Sequence, residues 1–446
     1  MKELALSSGA QAEPLRVMIV TDQYEPMVGG VPTVTRDLAA GLVGRGHAVS
    51  VLAPSETRRG HGTQETGAQA GAGPGGGIVV DYRGAVAWPW YEGQRLGILA
   101  PVRAAELLAA FGTDVVHVHS PLTLGAAARL AARRRHVPVV YTNHYLPLNV
   151  WPAAARASKG SAGPVAGTVS RVRDAAFYTL VTRFANGCDL VTAPTATALR
   201  LLRGRGLRVP SQAVSNGVDL DRFSPGPADR SLRSRYGLPA DRPVILSVGR
   251  LSPEKRADVL IAAMARLGGS AGDGGAPVLV LAGAGPDERR LRSLARHYGV
   301  ADRVVFTGFV PDDDLPGLYR AAAVFAIASQ AELQSLVTMA AMASGLPVVA
   351  VDAGALPELV HAGENGFLAG PGRAGEVADC LDLLCRDAGL RARMSKASSR
   401  IIAGHDRNRL LARWESLYRA LAGGADERDD RDSSTGLQAK VIDGQP

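Results

Sequence analysis

The chain has 446 residues, 46% of them apolar and 21% charged, with a formal net charge of +8, and suits two domains of roughly 200 residues each rather than one core. No window approaches the ~20 apolar residues of a spanning helix, and the opening MKELALSSGAQAEPLR contains no signal-peptide core, so a cytoplasmic protein is expected. The three cysteines, Cys188, Cys380 and Cys385, have no ligand-type or redox spacing, which excludes a disulfide scaffold or a thiol metal centre and leaves them as small buried residues.

In chain order, the apolar run VMIV (Val17 to Val20) reads as a buried strand, followed by MVGGVPTVT with Gly29 and Gly30 ahead of a helix from about Thr33. Glycines there let a backbone approach an anion at a helix N-terminus; a plain tight turn is the alternative. AVSVLA is the next strand, and the insert Glu56 to Gly77, poor in apolar residues, is expected to be a mobile loop. DVVHVH ends at His119, and VPVVYT is followed by Asn143, His144 and Asn149. Histidines at two successive strand ends suit a polar ligand better than a core.

From Arg129 to Arg208 thirteen Lys and Arg face two acids, Asp174 and Asp189, a local charge of +11. Such a face suits an anionic membrane or a phosphorylated substrate; solvated helix faces are the bland alternative. No aromatic residues interleave with the basic ones in a nucleic-acid module, so no nucleic acid is expected. After CDLVTA, the stretch from Ser215 to Pro227 reads as a linker, and the strand pattern restarts with PVILSVG.

Gly249, Arg250 and Lys255 follow that strand, and two cations at a helix start suit a diphosphate. A second apolar-poor insert, Gly268 to Ala276, is also expected as a mobile loop. LAGAGP supplies only G-x-G before proline, a weak nicotinamide signal. In PDDDLP the acids Asp312 to Asp314 are expected to cap a short helix rather than hold a metal. AELQSLVTMAAMASGLPVVA carries one carboxylate, Glu332, and eight positions on stands Ala340. The last helix aligns Leu410, Leu411, Trp414, Leu417, Tyr418 and Leu421 on one stripe. Strand–helix alternation throughout implies two doubly wound parallel sheets.

The ordered set GGVPTVTRDLA, RGHAVSVLAP, DVVHVHSP, SNGVDLDRF, SVGRLSPEK, AGAGP and ELQSLVTMAAMASGLPVVA resembles retaining glycosyltransferases of family 4, with the GT-B fold, from about Leu15 to Leu421. TNHYLPLN and ELQSL lean toward the bacterial glycolipid glycosyltransferases. The resemblance implies an α/β fold of two Rossmann-like domains. These are an acceptor-side domain over 15–213, completed by a helix at about 406–422, and a nucleotide-sugar domain over 214–405; a disordered tail over 423–446 follows. It implies a hexose moved from a nucleoside diphosphate sugar, UDP-sugar favoured over GDP-sugar, to a hydroxyl acceptor. No metal and no cofactor are needed, the nucleotide sugar being a substrate. Peripheral contact with an anionic membrane at its inner face is compatible with this.

By position, Arg250 and Lys255 would neutralise the donor diphosphate, with His119 and Glu332 beside the transferred sugar. The N–H groups of Gln334, Ser335 and Leu336 would cradle the phosphates, with Leu333 in the same donor site. Gly249 would belong to the same site, Gly29 and Gly30 would face it across the cleft, and backbone near Val310 would meet the base. Asn143 and His144 would lie on the acceptor side. Where the family has a second glutamate for the ribose, this chain has Ala340, so a weaker ribose grip is expected. A nucleotide-sugar epimerase and a non-catalytic partner subunit of the same fold remain as alternatives.

Overall fold

A computed structural model describes residues 13–54, 62–66, 78–83, 85–87, 95–98, 101–147, 164–267 and 275–429. Asn149, Arg156, Lys159, most of both inserts and the tail beyond 429 lie outside the described residues.

The first domain is an eight-stranded sheet in the order β10-β9-β8-β7-β1-β2-β4-β3. Its strands are β1 Arg16–Val20, β2 Ala48–Pro54, β3 Gly62–Thr66, β4 Ile78–Arg83, β7 Val115–Val118, β8 Val139–Thr142, β9 Leu190–Ala193 and β10 Ser211–Ala213. β5 Ala85–Ala87 and β6 Arg95–Gly97 form a separate antiparallel pair. Parallel strands covered on both faces must be apolar throughout, which is why they read as continuous runs. Their period of two still sorts the side chains. Val17 and Ile19 join one core with Leu38, Leu42, Leu411, Trp414 and Tyr418, while Met18 and Val20 join another with Leu108, Ala128 and Phe184.

The second domain is a six-stranded, wholly parallel sheet in the order β13-β12-β11-β14-β15-β16. These strands are β11 Val244–Val248, β12 Val278–Ala282, β13 Val304–Gly308, β14 Val324–Ile327, β15 Val348–Val351 and β16 Gly366–Ala369. The helix Arg407–Asp429 returns to the first domain and lays Leu411, Trp414 and Tyr418 on its sheet. The expected stripe is therefore the buried face.

Three expectations need correction. The insert over 56–77 contributes β3, paired antiparallel with β4, because an edge strand needs a backbone partner more than apolar side chains. The closing helix continues to Asp429, past the boundary expected at 423, since each added turn satisfies its own backbone once the helix is nucleated. The first helix, Gly30–Gly44, begins ahead of Thr33, with Pro32 in the first turn, where a missing N–H costs nothing. Among the described residues no helix is long and apolar enough to cross a membrane.

Candidate active site

In the second sheet the chain runs from β11 outward to β13 and then returns to the other side of β11 with β14. Open parallel sheets bind ligands at such a reversal, beyond the carboxyl ends of the strands. The loops after β11 and β14 carry Gly249, Arg250 and Lys255 on one side and Glu332 on the other. The reversal brings Lys255 Nζ to 2.7 Å from Glu332 Oε1, across 77 positions of sequence. The lysine side chain is 36% exposed and the glutamate 10%. Arg250 is exposed on the same loop, directly after Gly249 at φ +147°, a conformation that favours glycine.

The AGAGP glycines have a structural reason. A Cβ on Gly283 would lie 2.1 Å from the Gly249 carbonyl oxygen, and one on Gly285 2.3 Å from that of Leu251. They let the loop after β12 press against the loop after β11, which explains G-x-G without a dinucleotide. Behind Glu332, Ala355 N–H donates to its carbonyl at 3.0 Å, and Gly354, at φ +58°, leaves space where a Cβ would lie 2.6 Å from that oxygen.

The helix Leu336–Ala343 starts directly after this loop. Ser335 caps it, its Oγ accepting from Thr338 N–H at 3.3 Å. Among the described residues, no protein hydrogen bond uses the N–H of Gln334, Ser335 or Leu336. Free amides and the positive helix end together favour an anion. Across the cleft, Gly30 opens the Gly30–Gly44 helix, with its Cβ direction 3.8 Å from Leu336 Cδ1. Neither Gly29 nor Gly30 is required by close protein contact, and Gly29 is in extended backbone. The space they keep is open to a ligand.

Other expected residues sit differently. Leu333 points away from the cleft, into a cluster with Ala193, Ala198 and Leu199 of the first domain. The Gln334 amide holds the linker, accepting from Asn216 N–H at 2.8 Å and donating to Ser215 Oγ at 2.9 Å. Both therefore offer only backbone to a donor. Val310 is buried in the core, so it too presents backbone alone, next to the exposed Phe309. Ala340 is 5% exposed and packed in the same core.

His119, expected beside the sugar, is 1% exposed. Its Nδ1 lies 2.9 Å from His144 Nε2, and its Nε2 has no partner. His117 stands beside it, bridging Tyr418 Oη and Thr142 Oγ1 at 2.6 Å each. Burial pushes His117 down to about 3 and His144 to about 4, and holds His119 well below the usual range, so all three are neutral. His119 lines a cavity of about 20 Å³, with Thr142, Asn216 and Trp414, which is room for one water. Asn143 is spent on its own turn: its Oδ1 accepts from Tyr141 Oη at 2.9 Å and Tyr145 N–H at 3.3 Å.

The Asp312–Asp314 turn makes no side-chain cap; Asp314 is taken by Arg235 at 2.8 Å and Tyr236 at 2.6 Å. Asp22, overlooked in the sequence, is buried at the end of β1. Its Oδ1 accepts from Gly97 N–H at 3.2 Å, its Oδ2 has no partner, and burial raises it to about 7. An acid immediately after a buried strand, in VTDQ, was the available signal.

The model described as Glycosyltransferase Family 4 matches residues 28–222, and that of Glycosyl transferases group 1 matches 229–400. A GDP-mannose-dependent alpha-(1-6)-phosphatidylinositol monomannoside mannosyltransferase of Mycobacterium tuberculosis is 32% identical over 91% of this chain and 97% of its own. D-inositol 3-phosphate glycosyltransferase of Mycolicibacterium smegmatis is 34% identical over 69% of each. In fold, the chain is similar to sucrose-phosphate synthase from Thermosynechococcus elongatus, with a TM-score of 0.74 at 21% identity, covering 92% of this chain and 100% of that one. Anabaena HepE in complex with UDP and glucose gives a TM-score of 0.69 at 22% identity, over 91% and 100%. With both halves matched in order and the relatives aligned across the cleft, this chain belongs to the family 4 glycosyltransferases and has their GT-B fold.

Proposed function

We propose that this enzyme transfers a mannosyl group, with retention, from GDP-mannose to a hydroxyl of a lipid-borne polyol. The observation that carries the site is the Lys255–Glu332 pair beside the free amides of the Leu336–Ala343 helix. The donor rests on the GDP-mannose dependence named for the relative that is 32% identical, and replaces the UDP-sugar favoured from sequence. Relatives named for phosphatidylinositol monomannoside and inositol 3-phosphate support a polyol acceptor.

In this reading Arg250, Lys255 and the helix amides take the charge that develops on the diphosphate as the bond from C1 to its oxygen breaks. Glu332 holds sugar hydroxyls. The acceptor oxygen bonds to C1 on the face the diphosphate leaves, and its proton passes to a phosphate oxygen, so GDP departs protonated and no protein base is required. His119, neutral and buried, carries no proton step. With Asp314 engaged by Arg235 and Tyr236, no divalent ion is assigned a role. The test is a donor panel read by nucleotide release with a phosphatidylinositol-type acceptor, with and without EDTA. GDP-mannose should be the fastest donor and EDTA should change the rate by less than about twofold; preference for UDP-glucose, or full loss restored by magnesium, would sink the donor or the metal-free part.

The acceptor's lipid is reached from the basic face. On the helix Pro164–Ala185, Val169, Val172 and Leu180 are 57–64% exposed at helical spacing, flanked by exposed Arg171 and Arg183. Apolar residues between arginines fit an anionic bilayer surface. Co-sedimentation with phosphatidylglycerol vesicles should exceed that with phosphatidylcholine by about tenfold at low salt and fade as salt screens it. Equal binding to both would remove the membrane contact.

A further inference from the structure

The loop that carries Glu332 is fastened to the opposite domain, and we infer that Thr195 and Glu358 are positioning residues for the donor-site carboxylate. This rests on the reading that Glu332 holds the transferred sugar. Thr195 Oγ1, in the first domain, donates to the carbonyl of Leu333, the residue after Glu332, at 2.8 Å. The Leu333 side chain is seated against Ala193, Ala198 and Leu199 of that same domain. On the other side of Glu332, its carbonyl is held by Ala355 N–H, and the turn continues to Glu358. The Glu358 carboxylate crosses to the first domain and accepts from Ala196 N–H at 3.1 Å and Thr197 N–H at 2.6 Å. Thr195 is the N-cap of that helix, Ala196–Arg203.

Both supports of Glu332 thus converge on the start of one helix in the other domain. Its free N–H groups and partial positive charge suit the carboxylate of Glu358. The contact joins these hydrogen bonds to the small apolar seat of Leu333, and in this reading it lies beside the reacting sugar rather than at the far side of the hinge. Juxtaposing the domains therefore fixes where the Glu332 side chain stands against Lys255. A domain orientation that lost the Ala196–Arg203 contact would leave the diphosphate clamp complete but the sugar contact misplaced.

The test separates sugar recognition from phosphate binding. Thr195→Val should lower kcat/KM for transfer by about tenfold or more, because small misplacements at a reacting centre are costly. Binding of free GDP, measured by calorimetry, should stay within about twofold, since Arg250, Lys255 and the N–H groups of Ser335 and Leu336 lie outside the peptide that Thr195 holds. Thr195→Ser should restore transfer, and Glu358→Gln should reproduce the loss. Wild-type transfer in Thr195→Val and Glu358→Gln, with Glu332→Gln impaired, overturns the inference while leaving the Glu332 reading intact. Wild-type transfer in Glu332→Gln instead overturns the reading beneath it. A parallel fall of GDP affinity and melting temperature in Thr195→Val would mean general interface damage and would also overturn the inference.

Discussion

Lys255→Ala is expected to lower transfer at least ~100-fold, equivalent to about 2.7 kcal/mol of transition-state stabilisation. The diphosphate gains negative charge as the sugar leaves, so a cation beside it contributes more in the transition state than in the ground state. The effect should therefore fall mainly on kcat. Arg250→Ala should behave alike, since Arg250 lies on the same loop directly after Gly249. Lysine-to-arginine replacement at 255 should rescue partly: charge returns, but the planar fork does not reproduce the short contact with Glu332. Steady-state rates at saturating donor and acceptor decide it. Both alanine variants within about threefold of wild type would remove the diphosphate assignment.

Alanine at 255 also strands the Glu332 carboxylate, which is 10% exposed and has lost its ion-pair partner. A part-buried charge without a partner is costly. The melting temperature of Lys255→Ala should therefore drop.

The fold was legible because parallel, fully covered strands have to be apolar: VMIV, PVILSVG and AAVFAIA could hardly be anything else. β3 was not, since an edge strand of Gly, Thr and polar residues leaves no pattern. The cations and Glu332 were legible as residues at strand ends, but their 2.7 Å meeting was not, because the strand-order reversal that makes it lies outside any local window. The ELQSL segment offered its backbone N–H groups, but where the Leu333 and Gln334 side chains turn was not legible: they face the first domain and the linker. Partners 138 and 118 positions away decide that. For the histidines, strand-end position said nothing of burial: His119 is 1% exposed, in a cavity that Trp414 of the returning helix also lines.

Glu332→Gln is expected to move two measurements in opposite directions. Transfer should fall at least ~100-fold, because the carboxylate next to the sugar stabilises the positive charge that develops near C1, and an amide of the same shape cannot. Free GDP should bind more tightly, by about threefold, corresponding to roughly 0.65 kcal/mol, within the range of partly exposed ion pairs. The reason lies in the unliganded pairing: Glu332 occupies Lys255 before the donor arrives, so the phosphates must compete for that ammonium. Removing the negative charge takes away that competitor without touching Arg250 or the helix amides. With intact GDP-mannose the gain at the phosphates and the loss at the sugar offset each other, so donor KM should change little while kcat collapses. General damage to the loop cannot produce this pattern, since it would weaken GDP and transfer together. If calorimetry shows GDP affinity falling alongside transfer, Glu332 serves to hold the loop in shape, and the sugar is held by something else.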